Sequence, residues 1–433
     1  MKEANNQKRK YITSCFHVFF VVCIALLLPR FFFRNNSSIG AGSDRAAEFK
    51  LGVENLNGHF LDAIKEVAQK KASYAVGLVT NHCGVDQKGC RTVDILLEKG
   101  FSIKKIFIPE DDLGGEQKNV TTGMKDTTTG LPLVMLPRVD SLKSSYQYPF
   151  EDIQMIFLDL QDTGICPNLY ILTLIKTLYD AAKLNKVVVV LDRPNVLGSA
   201  MEGMMAGCAE YNNEMFELPM RHGMTFGELA SYFNEQFLEG KTPLHIVPMY
   251  AYDRAASLGG ITPTLCPLLT NIDTFYDASF LGILSAVYPF DIGIGTDMAF
   301  QCIALPEFMH FSKQKWFQLR TLLKNQHIDT VWHRYYNPRK KCSYAGLRVI
   351  VKNVEEFSPF NALVTIITFF KQAGVPLRFC QEFDRLCGGI KMRDLLEGNC
   401  RDLRNDVNND LKNFFAKAQN FFIYKPLPKL MLL

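Results

Sequence analysis

The sequence predicts an α/β fold: a Rossmann-like, doubly wound parallel sheet, a second, smaller α+β C-terminal domain, and an N-terminal membrane segment. Three observations carry the sheet. Short apolar runs alternate with helical periodicities between residues 51 and 253, as parallel strands joined by crossover helices require. Strands such as Lys186–Leu191 (KVVVVL) are continuously apolar, which fits a sheet covered on both faces. Finally, apolar runs end abruptly in polar residues at Asn81-His82, Pro109-Glu110, Asp159 to Asp162, Asp192 to Asn195 and Arg221 to Gly223. In an open parallel sheet such positions lie at the carboxyl edge, where ligands bind.

At 433 residues the chain exceeds what one core usually fills. Hydrophobic residues make up 48%, while a net charge of +4 is too small and dispersed to suggest nucleic acid as a partner. The N-terminus stands apart, because Lys2, Lys8, Arg9 and Lys10 precede the apolar run Tyr11–Leu28. A helix of that run is ~27 Å long, enough for a thin hydrocarbon core, with the basic flank cytoplasmic. Pro29-Arg30-Phe31 follows where a cleavage site would need small residues, so an anchor is expected and secretion after cleavage is the alternative. The expected division is a basic tail (1–10), a signal-anchor (11–28), a linker (29–50), a Rossmann-like catalytic domain (51–253) and the α+β domain (254–433). The folded part would lie outside the cytoplasm. The 12 cysteines are compatible with that compartment without demanding disulfides, and none has zinc spacing.

Gly58–Lys71 has helical periodicity, Ala75–Thr80 is a buried strand, and a helix starts near Arg91. Lys105–Ile108 is the next strand, followed by a polar loop over Asp111–Gly130 and the run Leu131–Leu136; so long a loop beside a strand end suggests a binding loop. Ile153–Leu158, a helix over Leu169–Leu184 and the strand Lys186–Leu191 continue the alternation. Thr225 and Glu228 form a capping box that opens another helix. Beyond Arg254 the pattern turns to Pro- and Thr-rich loops, a strand over Gly346–Val351 and a helix over Asn361–Gln372.

The strand ends supply candidate chemistry. Glu110, crowded by Asp111 and Asp112, is the candidate proton donor, since neighbouring carboxylates raise one another's pKa; the alternative is three solvated loop residues. Asp159, Gln161 and Asp162 can hold sugar hydroxyls or supply a glycosidase's second carboxylate, or simply cap a helix. Arg193, in the turn Asp192-Arg193-Pro194-Asn195, can clamp a substrate carboxylate or form an internal salt bridge. Arg221 and His222 stand before a helix N-terminus, where an anion is favoured, and His222 can move protons near neutral pH or serve as a structural hydrogen-bonder. No GxSxG, Walker loop or GxGxxG is present.

Together these residues resemble the NamZ family of exo-β-N-acetylmuramidases. The matching stretches are GLVTNHCGVD with RTVDIL, IFIPED, TGLPL, IFLDLQDTG, VVVLDRPNVLG, Glu202-Gly203 and LPMRHGMTFGELA, in order over about Leu51 to Asp253, with FDRLCGG at Phe383–Gly389. The resemblance implies removal of N-acetylmuramic acid from the non-reducing ends of peptidoglycan fragments, without metal or cofactor, in a cleft between the two domains. It implies Glu110 as the catalytic acid; Asp162 and His222 fall on motif positions, and the second catalytic group is open between Asp162, His222, Asp159 and a residue outside these motifs. Asn81, Gln161, Asp192, Arg193, Asn195 and Arg221 fall on further motif positions as substrate-binding residues.

Three departures stand out. The histidine after the motif glutamate is Asp111, the Gly-Arg-Gly-Thr motif reads Gly293-Ile294-Gly295-Thr296, and Cys166, Pro167 and Asn168 replace part of an aromatic-rich stretch. A non-catalytic glycan-binding protein is therefore the second reading. A type II membrane glycosyltransferase, the third, lacks an Asp-x-Asp for a metal-bound sugar nucleotide.

Overall fold

The computed structural model describes residues 48–69, 75–109, 123–136, 149–211, 214–255, 272–397 and 403–432. The anchor segment Tyr11–Leu28 and the candidate acid Glu110 lie outside them. Among the described residues no helix is long and apolar enough to cross a membrane.

The first domain begins with helices α1 (Gly52–Asn55) and α2 (Gly58–Gln69) and strand β1 (Val76–Thr80). Helix α3 (Thr92–Glu98), β2 (Ile103–Pro109), β3 (Leu133–Leu136), β4 (Met155–Asp159), α4 (Leu169–Leu184) and β5 (Val187–Leu191) follow. A long hairpin of β6 (Ala200–Tyr211) and β7 (Glu214–Arg221) precedes α5 (Phe226–Leu238) and β8 (Leu244–Val247). Six strands form one sheet in the order β3-β2-β1-β4-β5-β8, and all five neighbouring pairs are parallel.

Side-chain alternation explains the unbroken apolar runs. Met155, Phe157, Val187 and Val189 point into a core with α1 to α3, whereas Ile156, Leu158, Val188 and Val190 point into another with α4 and α5. The predicted capping box is present, with the Thr225 backbone N–H donating to Glu228 at 2.9 Å and the Glu228 N–H to the Thr225 hydroxyl at 3.4 Å. Cys166, ahead of α4, is disulfide-bonded to Cys208 on β6.

In the C-terminal domain, α6 (Ile272–Leu284), α7 (Lys313–Lys324) and α8 (Pro359–Gln372) pack on a three-stranded antiparallel sheet of order β10-β12-β11. Its strands are β10 (Cys302–Pro306), β11 (Ile328–Asn337) and β12 (Cys342–Val351), and a short β9 (Val287–Tyr288) pairs with β13 (Arg378–Phe379). Helices α9 (Gln381–Leu386), α10 (Ile390–Glu397) and α11 (Leu403–Ala418) complete it.

The two domains are closely joined. Ile165, Val196, Leu197, Met204 and Met220 of the first belong to the second domain's hydrophobic core. In return, Leu411, Phe414 and Ala418 of α11 pack into the first domain, and β14 (Lys429–Met431) runs parallel to β6. Tyr424 donates its hydroxyl to Asp192 at 2.7 Å, and the Ile423 N–H donates to Glu228 at 2.8 Å.

Candidate active site

The sheet order reverses direction between β1 and β4, which places a crevice beyond their carboxyl ends. Asn81, the residue after β1, accepts the Cys83 N–H at 3.1 Å and donates to the Gln161 carbonyl at 3.3 Å. Gln161 in turn donates to the carbonyls of Asp162 at 3.0 Å and Pro194 at 2.9 Å. These two amides therefore stitch together the ends of β1, β4 and β5.

Arg193 and Asp159 form a buried pair across the same edge. Arg193 Nε donates to Asp159 Oδ1 at 2.5 Å, and one terminal nitrogen donates to Asp159 Oδ2 and to the Val85 carbonyl, both at 2.8 Å. Thr92 also donates its hydroxyl to Asp159. Burial pulls the Arg193 guanidinium down, but the Asp159 carboxylate outweighs it and leaves the pKa raised. The guanidinium thus grips the scaffold's own carboxylate, 34 residues away in sequence, with two parallel bonds.

Asp192 is equally committed. It accepts N–H bonds from Arg193 at 3.0 Å and Gly227 at 2.8 Å, and hydroxyl bonds from Thr225 and Tyr424, both at 2.7 Å. It therefore anchors the first turn of α5. Burial nevertheless raises its carboxyl to about 6.

Asp162 and His222 are buried together, with Nε2 of the imidazole 3.1 Å from Asp162 Oδ2. The Met224 N–H donates to Nδ1 at 3.2 Å, so Nε2 carries the proton given to Asp162. Asp162 Oδ2 also accepts the Gly164 N–H at 2.9 Å, while Oδ1 has no hydrogen-bond partner among the described residues. Asn195 donates to the Met224 carbonyl and accepts the Leu197 N–H, both at 2.9 Å. Gly164, at φ +86°, lies so close to Asn195 that a Cβ would stand 2.4 Å from its oxygen.

Arg221 is fully buried and donates to the carbonyls of Phe357 at 2.8 Å, Val354 at 3.3 Å and Leu197, so it ties the first domain to the second. Burial depresses its pKa, opposed by Glu202 and Glu355. Glu202, facing Arg221 across the β6–β7 hairpin, accepts the Ser358 hydroxyl at 2.5 Å, and burial raises its carboxyl.

Beside the carboxyl ends of β1 and β2 and the start of β3, a cavity of about 240 Å³ opens, lined by Thr80, Asn81, His82, Arg91, Ile108 and Asp126 among others. Arg91 projects from the residue before α3 and is braced by Asp94, at 2.8 and 2.9 Å, and by Asp126 at 2.8 Å. These bonds raise the Arg91 pKa. Burial pushes the Asp126 carboxyl up, yet bonds from Thr129 and Arg91 prevail and leave it lowered. The Arg91–Asp126 pair therefore stays charged at the cavity's edge. The cavity lies below the roughly 300–1,000 Å³ of drug-sized sites, which suits one small polar unit.

Among the described residues read in the sequence as catalytic or substrate-binding, Asn81 alone lines this cavity, and Glu110 follows Pro109, the last residue of β2. Gln161, Asp162, Asp192, Arg193, Asn195, Arg221 and His222 are buried and do not line it. In the sequence His82 is marked only as part of a polar strand end, and Arg91 and Asp126 are given no role in a site. Arg91 and Asp94 read in sequence as an ordinary i,i+3 pair at a helix start, with nothing to mark the cavity beside them. Among the described residues no group of three or more His, Cys, Asp or Glu is placed to hold a metal ion.

Comparison with known proteins places this edge in context. Residues 76–262 match the N-terminal sequence model of the exo-β-N-acetylmuramidase NamZ family, and residues 281–424 match its C-terminal model. The peptidoglycan β-N-acetylmuramidase NamZ of Bacillus subtilis is 25% identical over 372 residues, 81% of this chain and 86% of that protein. Two crystal structures of DUF1343 family proteins from Bacteroides fragilis share the fold. One has a TM-score of 0.69 and 24% identity over 87% of this chain and 99% of its own. The other has a TM-score of 0.63 and 20% identity over 88% and 100%.

Proposed function

The chain belongs to the exo-β-N-acetylmuramidase NamZ family, and from that premise we propose that it is a glycoside hydrolase removing terminal N-acetylmuramic acid from peptidoglycan fragments. The observation that carries this reading is the cavity beside the carboxyl ends of β1 and β2, on the strand that leads into Glu110. In this reading the terminal sugar sits over Asn81 and His82, and Glu110 protonates the leaving glycosidic oxygen. The Asp162–His222 pair supplies the second group, because a carboxylate with one unpartnered oxygen can accept a proton or bind a hydroxyl. Asp111 and Ile294, which depart from the family motifs, favour as second reading a relative that binds glycan without cleaving it.

A chromogenic β-N-acetylmuraminide and the matching N-acetylglucosaminide separate the readings. Release from the muraminide alone, lost in a folded Glu110→Gln variant, is the expected result. If the variant turns over as fast as wild type, Glu110 is not the acid. If neither substrate is cleaved while muropeptides still bind, the protein is a glycan-binding relative.

We also infer that Tyr11–Leu28 anchors the protein with its folded part outside the cytoplasm. The Cys166–Cys208 disulfide supports this, since such bonds persist mainly in oxidising compartments. Protease added to intact cells should digest the folded part, and complete protection would exclude that orientation.

A further inference from the structure

The C-terminal domain holds a second polar cluster. Asp291, 1% exposed, accepts the Tyr335 hydroxyl at 2.5 Å, the Gly293 N–H at 2.8 Å and the Asn337 amide at 3.3 Å. The ammonium of Lys340 also lies 2.8 Å from it. Asn337 donates a second bond to the Ile294 carbonyl at 3.0 Å, while its side-chain oxygen accepts the N–H groups of Arg339 at 3.1 Å and Lys340 at 3.2 Å. These bonds lock the turn between β11 and β12 against the Gly293–Thr296 loop. Stacked rings of His333, Tyr335 and Tyr344, 5.7 and 5.8 Å apart, hold Tyr335 and hence Asp291 in place.

Arg339 is the member of this cluster with a charge to spare. Its stem lies across Gly295, whose φ is +94°, and a Cβ at position 295 would come within 2.7 Å of Arg339 Cδ and 3.1 Å of its Cγ and Nε. The loop therefore offers a bare backbone bed along which the arginine extends. Lys340 is matched by Asp291, but Arg339 is exposed and its guanidinium makes no ion pair among the described residues, not even with the exposed Asp297 of the same loop. A guanidinium with a supported stem and an open fork is suited to a planar carboxylate. Ile294, where the family motif carries arginine, instead packs against the domain core.

The geometry points to Arg339 as a carboxylate receptor, supplied from the β11–β12 turn, that recognises an acidic sugar by the lactyl group of N-acetylmuramic acid. The choice of sugar rests on the function proposed above, whereas the anion site rests on the loop and turn alone. Equilibrium binding of N-acetylmuramic acid, its methyl ester and N-acetylglucosamine to the full-length protein tests it. The wild type should prefer the acid to its ester, and Arg339→Ala should weaken binding of the acid about tenfold while leaving the other two unchanged. Arg339→Lys should recover part of that preference, because it keeps the charge and loses the fork. Gly295→Ala, which displaces the stem without removing the charge, should also reduce the preference. Equal binding of acid and ester by the wild type, or a preference untouched in Arg339→Ala, overturns the assignment. An Arg339-dependent preference without any sugar release would uphold the receptor while the hydrolase reading fails.

Discussion

The two halves of the sheet's carboxyl edge are built from the same residue types and organised in opposite ways. On the β4–β5 side, Asp159, Asp192, Arg193 and His222 are dry and bonded to one another or to backbone. On the β1–β2–β3 side, Arg91 and Asp126 brace each other beside an open cavity, with side chains 34% and 14% exposed. A charged residue at a strand end is thus not by itself a substrate contact. The first group ties the edge together, and the second leaves an open cavity with a braced charge pair beside it.

Substitution of Arg193 should break the comparison most sharply. Arg193→Ala strands the buried Asp159 carboxylate, and denaturant unfolding should register a loss of ~3–5 kcal/mol. A loss below about 1 kcal/mol would show that this side is not a scaffold. The next effect concerns the same half: reducing the Cys166–Cys208 bridge, which spans 42 residues, should lower stability by up to about 4 kcal/mol through the freed chain entropy. Comparing unfolding with and without reductant, against a Cys166→Ser, Cys208→Ser control, isolates this.

A third test uses pH. Burial lifts Asp192 to about 6 in the native state, against ~3.9 unfolded, so the folded protein holds that proton longer. Its contribution favours folding at pH 4 and fades as pH rises through about 6, worth about 2 kcal/mol between pH 4 and pH 7. Asp192→Asn should remove that component, seen as a changed difference between unfolding free energies at the two pH values. Identical pH profiles would mean that the Asp192 carboxyl has the same pKa folded and unfolded. The smallest effect on stability belongs to the cavity side, where Arg91→Ala should cost about 1 kcal/mol or less because its pairs are partly solvated. Sugar release should fall in that variant by far more than its stability does, and unimpaired release would remove Arg91 from the site.

The parallel sheet was legible because its strands are unbroken apolar runs and its helices carry their own signals, such as the Thr225–Glu228 box. The β6–β7 hairpin was not. Its strand AMEGMMAGCAEY neither alternates nor runs continuously apolar, so only tertiary pairing marks it as β. Arg193 was read as facing either a substrate or an acidic neighbour, and its partner, Asp159, comes from a different strand. The Cys166–Cys208 pairing could not be found by counting cysteines, since spacing does not determine connectivity. The cavity escaped notice because Arg91, Asp126 and His82 meet only after β1, β2 and β3 are laid side by side.

The return of the C-terminal tail constrains the order in which this protein matures. Tyr424 completes the shell around Asp192, Ile423 donates to Glu228, and β14 extends the β6–β7 sheet, so the first domain contains bonds made by residues far later in the sequence, 232 positions away for Asp192 and Tyr424. A nascent chain emerging N-terminus first can lay down the parallel sheet, yet Asp192 has no Tyr424 hydroxyl until that distant segment has been synthesised. A ribosome that stalls before Ile423 would therefore release a chain whose first domain is still open.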